Sequence, residues 1–155
     1  MAKESINYLK IFFDGGSRGN PGPSAVGAVL YDGGNKLEEM STYIGSHTNN
    51  MAEYMALDSV LDVAEKYKCR KIILFTDSKL LHNQVKKVWK IKDKNILEVF
   101  LKISKKLSGY DTVDLRLIPR EDNKEADRLV NKALDKKELT YKGESEIRFG
   151  NVDDR

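Results

Sequence analysis

Apolar and polar positions change rhythm several times along this chain. The opening "NYLKIFFDG", residues 7–15, is apolar and β-rich, which predicts a strand ending near Asp14. The next stretch, "SAVGAVLYDGGNKLEEMSTYIG", reads as a hairpin: a small-residue strand to Tyr31, a turn at "DGGN" and a second strand to Ile44. From Asn50 the period becomes helical, with Met51, Tyr54, Leu57, Leu61, Ala64 and Tyr67 on one face over about five turns. "KIILFTD" is a short, wholly apolar strand that again ends on an acid, Asp77. "SKLLHNQVKKVWK" predicts a helix capped by Ser78. A further helix follows a cap at Asp93, with Ile96, Val99, Phe100, Ile103 and Leu107 on its apolar face. "TVDLRLIP" alternates as a strand does. The last helix opens on "DNKE", where Asp122 and Glu125 have the spacing of a capping box, and its face is Ala126, Leu129, Val130, Ala133 and Leu134.

Three strands followed by alternating helices and strands predict an α/β fold. Its sheet is mixed, with an antiparallel hairpin, later parallel strands and helices as cover. The 155 residues are read as one domain with its core at about residues 8–135. After Asp135 the pattern fades into polar residues, and residues 136–155 are expected to form a loosely held tail.

Composition narrows the class without naming a function. Apolar residues make up 40% and charged residues 33%, as in soluble globular proteins. Cys69 stands alone, so no internal disulfide framework exists, and a reducing, cytoplasmic setting is expected. No apolar run approaches membrane-spanning length. The net charge of +3 hides an asymmetry, because residues 79–106 hold nine lysines against two acids and leave the remainder acidic. A basic segment on an acidic body suggests either a docking surface for a polyanion or an ordinary solvated helix face.

The candidate chemistry is carboxylate. Asp14 and Asp77 end strands, and ligands bind at the carboxyl ends of strands in open α/β sheets. Glu53 and Asp127 fall in the first turns of helices that start near the same rim. Four such acids cannot all stay ionised together unless a hard cation compensates them, and Mg²⁺ suits oxygen ligands. Each acid also has an ordinary role. Glu53 and Asp127 suit helix N-termini, Asp14 suits a turn, and Asp77 suits a helix cap.

The segments "DGGSRGNPGPSAVGAVL", "TNNMAEYMAL", "FTDSK" and "ADRLVNKAL", in that order, resemble the ribonuclease H type 1 family over roughly residues 8–135. The resemblance implies a mixed five-stranded sheet of order 3-2-1-4-5. It also implies a monomeric endoribonuclease that cuts the RNA strand of RNA–DNA hybrids and leaves 5′-phosphate and 3′-hydroxyl ends. Carried over, Asp14, Glu53, Asp77 and Asp127 match the family's metal-binding carboxylates, holding two Mg²⁺ ions with Mn²⁺ as a substitute. Asp14 would bridge both ions, Asp127 would help hold the one that activates water, and Glu53 and Asp77 would hold the other. Asn20, Thr48 and Asn49 match positions that grip a DNA phosphate, with Asn50 near the minor groove. Gly15, Ser17, Ser78 and Lys79 complete the expected substrate contacts.

Two departures stand out. The loop before Asp127 has no histidine, and "IPREDNKEAD" resembles a subgroup in which an arginine, here Arg120, takes that place. An arginine stays protonated, so it can stabilise phosphate charge but cannot act as a base; its ordinary alternative is an ion pair with Glu121 or Asp122. Lys79 stands where the family usually has glutamine. The family's longer basic handle is shortened to Lys86, Lys87, Lys90, Lys92 and Lys94 around Trp89, which is read as a core anchor. The alternatives are a binding module without catalysis and a relaxed nuclease that also cuts double-stranded RNA.

Overall fold

The computed structural model describes the backbone of residues 7–154 and the side chains of residues 7–139. Its five strands are β1 (Tyr8–Ser17), β2 (Gly22–Asp32), β3 (Asn35–His47), β4 (Lys71–Thr76) and β5 (Thr112–Leu117), in the order β3-β2-β1-β4-β5. The β1–β2 and β2–β3 pairs are antiparallel, and β4 and β5 join parallel to β1. The hairpin turns at Gly33 and Gly34, and the expected sheet order is the one found.

One sheet face packs against α1 (Asn49–Ala64) and α3 (Lys94–Leu107), with α2 (Lys79–Val85) beside α1. Leu9, Ile11 and Phe13 of β1 bury there with Tyr54, Leu57 and Val60 of α1 and Ile96 and Ile103 of α3. The other face carries α4 (Lys124–Asp154), which lays Val130, Ala133 and Leu134 over Ala25. Among the described residues no helix is long and apolar enough to cross a membrane.

Two glycines set how closely the helices approach. A Cβ on Gly15 would lie 2.0 Å from the Ala52 carbonyl oxygen of α1. A Cβ on Gly27, which pairs with Asp14, would lie 2.5 Å from the Ala126 carbonyl oxygen of α4. Backbone therefore rests on backbone on both faces of the strand end that carries Asp14.

Four local expectations need correction. The helix after Ser78 stops at Val85, because the Asn83 carbonyl accepts from both Val88 N (2.8 Å) and Trp89 N (3.0 Å) and folds the chain into a turn. Trp89 is consequently 43% exposed and no core anchor. No capping box forms at "DNKE": Asp122 closes a short 3₁₀ turn, Arg120–Asp122, and Glu125 accepts from the Tyr31 hydroxyl and pairs with Lys36 (2.7 Å). Finally, α4 continues as helix to Asp154, although the helical pattern fades after Asp135. No proline follows Pro119 to stop it, and Arg18 holds its middle through Asp135 (2.7 Å) and Glu138 (2.8 Å).

Candidate active site

Asp14, Glu53 and Asp77 come from β1, α1 and the end of β4, and one carboxylate oxygen from each lies within 4.8 Å of the others. Glu53 reaches the sheet because Gly15 lets α1 settle against it, and Glu53 Oε1 then accepts from Gly15 N (3.0 Å). Asp14 and Glu53 are buried, and Asp77 is half-buried. Asp77 is free for this cluster because Ser78 takes the capping role, its Oγ accepting from Leu81 N (3.1 Å).

The charges are costly where they stand. Burial, then the Asp77 charge, pushes the Asp14 carboxyl up to about 7, and the hydrogen bond with Glu53 only partly opposes this. Burial and the Asp14 charge likewise hold Glu53 well above the usual carboxylate range. Without a cation, the pair therefore retains a proton near neutral pH. Converging oxygen donors of this kind fit a hard divalent ion.

Asp127 stands at the rim in the first turn of α4, exposed, and its charge raises Asp14 further. It lies outside the compact group of three. Asn123 was not foreseen. Buried to 1% exposure, it donates from Nδ2 to the Phe13 carbonyl (2.9 Å) and to Asp77 Oδ2 (2.9 Å), tying β1 to the acid that follows β4. An asparagine immediately before a helix was its only signal, and Asp122 obscured it.

Four of the expected substrate contacts also converge. Asn49 Oδ1 accepts from Ser17 N (3.2 Å), Asn20 Oδ1 accepts from Asn49 N (2.9 Å), and Thr48 Oγ1 caps α1 by accepting from Met51 N (3.1 Å). The Ser17 hydroxyl donates to the His47 carbonyl (2.9 Å), closing the β1–β2 loop onto the start of α1. Asn50 follows in the first turn of α1, half-buried. The N–H of Gly15 is committed to Glu53, whereas the Ser78 hydroxyl oxygen accepts from Leu81 N and its own hydrogen remains available to donate. Lys79 is exposed, its ammonium 5.9 Å from the centroid of the Trp89 ring. Arg120 lies exposed in the turn before Asn123, and among the described residues it pairs with neither Glu121 nor Asp122.

Residues 12–133 match the family model described as reverse transcriptase-like. The chain is 41% identical over 125 residues to a ribonuclease HI of Halobacterium salinarum, covering 80% of this chain and 63% of that protein. The solved structure of RNase H1 from that archaeon superposes with a TM-score of 0.81 at 38% identity, over 83% of this chain and 98% of the other. The structure of LC11-RNase H1 in complex with RNA/DNA hybrid gives 0.79 at 40% identity, over 83% and 97%. The chain spans less than two thirds of the length of the first relatives it matches, down to 34% for proteins of Mycobacterium.

Proposed function

This chain belongs to the ribonuclease H-like family, and on that premise we propose that it is a metal-dependent endoribonuclease acting on the RNA strand of RNA–DNA hybrids. One observation carries the reading: three acids from separate elements meet within 4.8 Å, two of them buried at a cost that a cation would offset. Asp14, Glu53 and Asp77 would hold Mg²⁺ or Mn²⁺, with Asp127 as a fourth acid at the rim. When bound, a pair of such ions supplies Lewis acidity to an attacking water and to the leaving oxygen. The chemistry is hydrolysis: water oxygen bonds to the scissile phosphorus, the bond to the 3′ oxygen breaks, and 5′-phosphate and 3′-hydroxyl ends result.

The chain's own groups do the rest. Ser17, Asn20, Thr48 and Asn49 offer small polar groups where backbone and duplex can approach closely, which suits a DNA-strand phosphate. Asn50 adjoins them for sensing a 2′-hydroxyl or its absence. Arg120 takes the loop position of the arginine subgroup and keeps a fixed positive charge toward the scissile phosphate. Exposed Lys86, Lys87, Lys90, Lys92 and Lys94 draw the polyanion in, making affinity salt-dependent. Because one chain supplies every group, the reading takes a monomer as the working unit, with residues 1–155 a single ribonuclease H-like domain.

The test is cleavage of matched RNA–DNA, RNA–RNA and DNA–DNA duplexes with Mg²⁺, Mn²⁺ or EDTA, beside Asp14→Asn. Metal-dependent cutting confined to the hybrid and absent from the variant is expected. Cutting of RNA–RNA as well would give a relaxed nuclease. A folded wild-type protein that cuts nothing would overturn the reading.

A further inference from the structure

A groove lies apart from the three clustered acids. It runs between the edge strand β3 and the flank of α4 and encloses about 450 Å³, with Thr42 and Tyr43 on one wall and Lys132, Lys136 and Lys137 on the other. Its base is closed by the Ser41 hydroxyl, which donates to the Leu129 carbonyl (2.6 Å). The neighbouring acids of α4 are already committed, since Asp135 and Glu138 both pair with Arg18. Among the described residues no carboxylate pairs with the three lysines. The Lys137 ammonium lies 5.1 Å from the centroid of the Tyr43 ring, and Tyr43 is 36% exposed.

A row of ammonium groups with no carboxylate partner among the described residues, beside a part-exposed aromatic ring, is what a flexible single strand of nucleic acid requires: phosphates follow the charges and, as Lys137 swings from the ring to a phosphate, a base stacks on it. Placement supports the same ligand. Gly16, two residues beyond Asp14, pairs with Ala25, which pairs with Tyr43. Two strand spacings put Tyr43 about 10 Å from the strand that carries Asp14. The Arg18 loop, whose neighbours Ser17 and Asn20 hydrogen-bond with Asn49 at the start of α1, also bridges to α4 through Asn131 and Glu138.

We propose that this groove binds single-stranded nucleic acid running on from a hybrid held in the acidic cleft, with Tyr43 stacking a base and Lys132, Lys136 and Lys137 following the phosphates. The inference rests on the nuclease reading only for the hybrid in the cleft.

The test is fluorescence anisotropy in EDTA with three probes. They are a short blunt hybrid, the same hybrid with a DNA overhang of about ten nucleotides, a typical span for such grooves, and that overhang alone. The overhang should tighten binding about tenfold at low salt and steepen the salt dependence by about 2 in log–log slope for three phosphates. The variant K132Q/K136Q/K137Q should lose both gains, bind the blunt hybrid like wild type and unfold at an unchanged temperature. Tyr43→Leu, which keeps bulk in the strand, should lose affinity for the overhang while retaining the slope. An overhang that adds nothing, or a gain that survives in the lysine variant, overturns the groove and leaves the nuclease reading standing. Binding of the overhang alone with no hybrid binding overturns the continuity with the cleft, and binding of neither overturns the groove; the nuclease reading is decided by the cleavage assay with metal.

Discussion

Asp14→Asn should stabilise the metal-free protein while destroying its proposed chemistry. The Asp14 carboxyl holds its proton up to about 7 in the fold, against 3.8 for an unperturbed group. Between those values the folded state binds more protons than the unfolded chain, so acid favours folding and stability falls as pH rises through the window. By pH 8 the full displacement is felt, a penalty of about 4 kcal/mol, which shrinks to about 1 kcal/mol at pH 4.5. An asparagine amide is neutral in both states and escapes the penalty. It forfeits part of the Asp14–Glu53 hydrogen bond, so the net gain at pH 8 should be about 2–3 kcal/mol. For a chain of this size that raises the melting temperature by roughly 5–10 °C.

The assay is thermal and urea unfolding of chelated wild-type and variant protein at pH 8 and pH 4.5. The difference between them should be largest at pH 8. Adding Mn²⁺ at pH 8 should raise the wild-type midpoint and leave the variant's nearly still. A variant no more stable than wild type at pH 8, or a gain of equal size at both pH values, would refute the account of Asp14 as a buried, uncompensated charge.

The close approach at Gly15 is testable through Gly15→Ala, whose Cβ would meet the Ala52 carbonyl oxygen at 2.0 Å; a loss of about 3 kcal/mol or more in urea unfolding is expected. Gly34→Ala, with nothing within 4 Å, is the control and should be close to neutral. Asn123→Ala should cost about 1–3 kcal/mol, because the buried Phe13 carbonyl loses its side-chain donor. It should also weaken Mn²⁺ binding by about 10–100-fold in calorimetric titration as Asp77 loses its partner. Unchanged metal affinity would reduce Asn123 to a structural strut. Arg120→Ala should lower kcat more than it raises KM for hybrid, and an unchanged kcat would make Arg120 an ordinary surface residue.

Much of this could be read before any coordinates. β4 and the hairpin announce themselves through apolar runs and turn chemistry, and the sheet order agrees with the family resemblance. Asp14, Glu53 and Asp77 were legible because each lies near a strand end or a helix start, although β1 runs on to Ser17, three residues beyond the end expected near Asp14. Asn123 was not, since its value lies in reaching a carbonyl 110 residues away, and no local pattern encodes a partner at that distance. The same holds for Arg18, which looks like a loop residue until α4 brings Asp135 and Glu138 alongside. Trp89 misled because aromatic residues favour burial on average, while two amide donors sharing the Asn83 carbonyl turn its segment outward. The length of α4 was hidden because its apolar face ends at Leu134, although the lysine, glutamate and leucine that follow are good helix formers.

The absent methyls at Gly15 and Gly27 bear on how such a protein can change over evolutionary time. Elements spaced by side chains drift whenever a core residue is exchanged, because each new volume moves its neighbours. Here the spacing around Asp14 is set by main chain against main chain, which no exchange of core side chains alters. Descendants can therefore trade leucine for valine throughout the interior, adapting to heat, cold or salt, while the three acids keep their separation. What they cannot trade is either glycine. The geometry of the acidic cluster rests on two positions that carry no side chain at all.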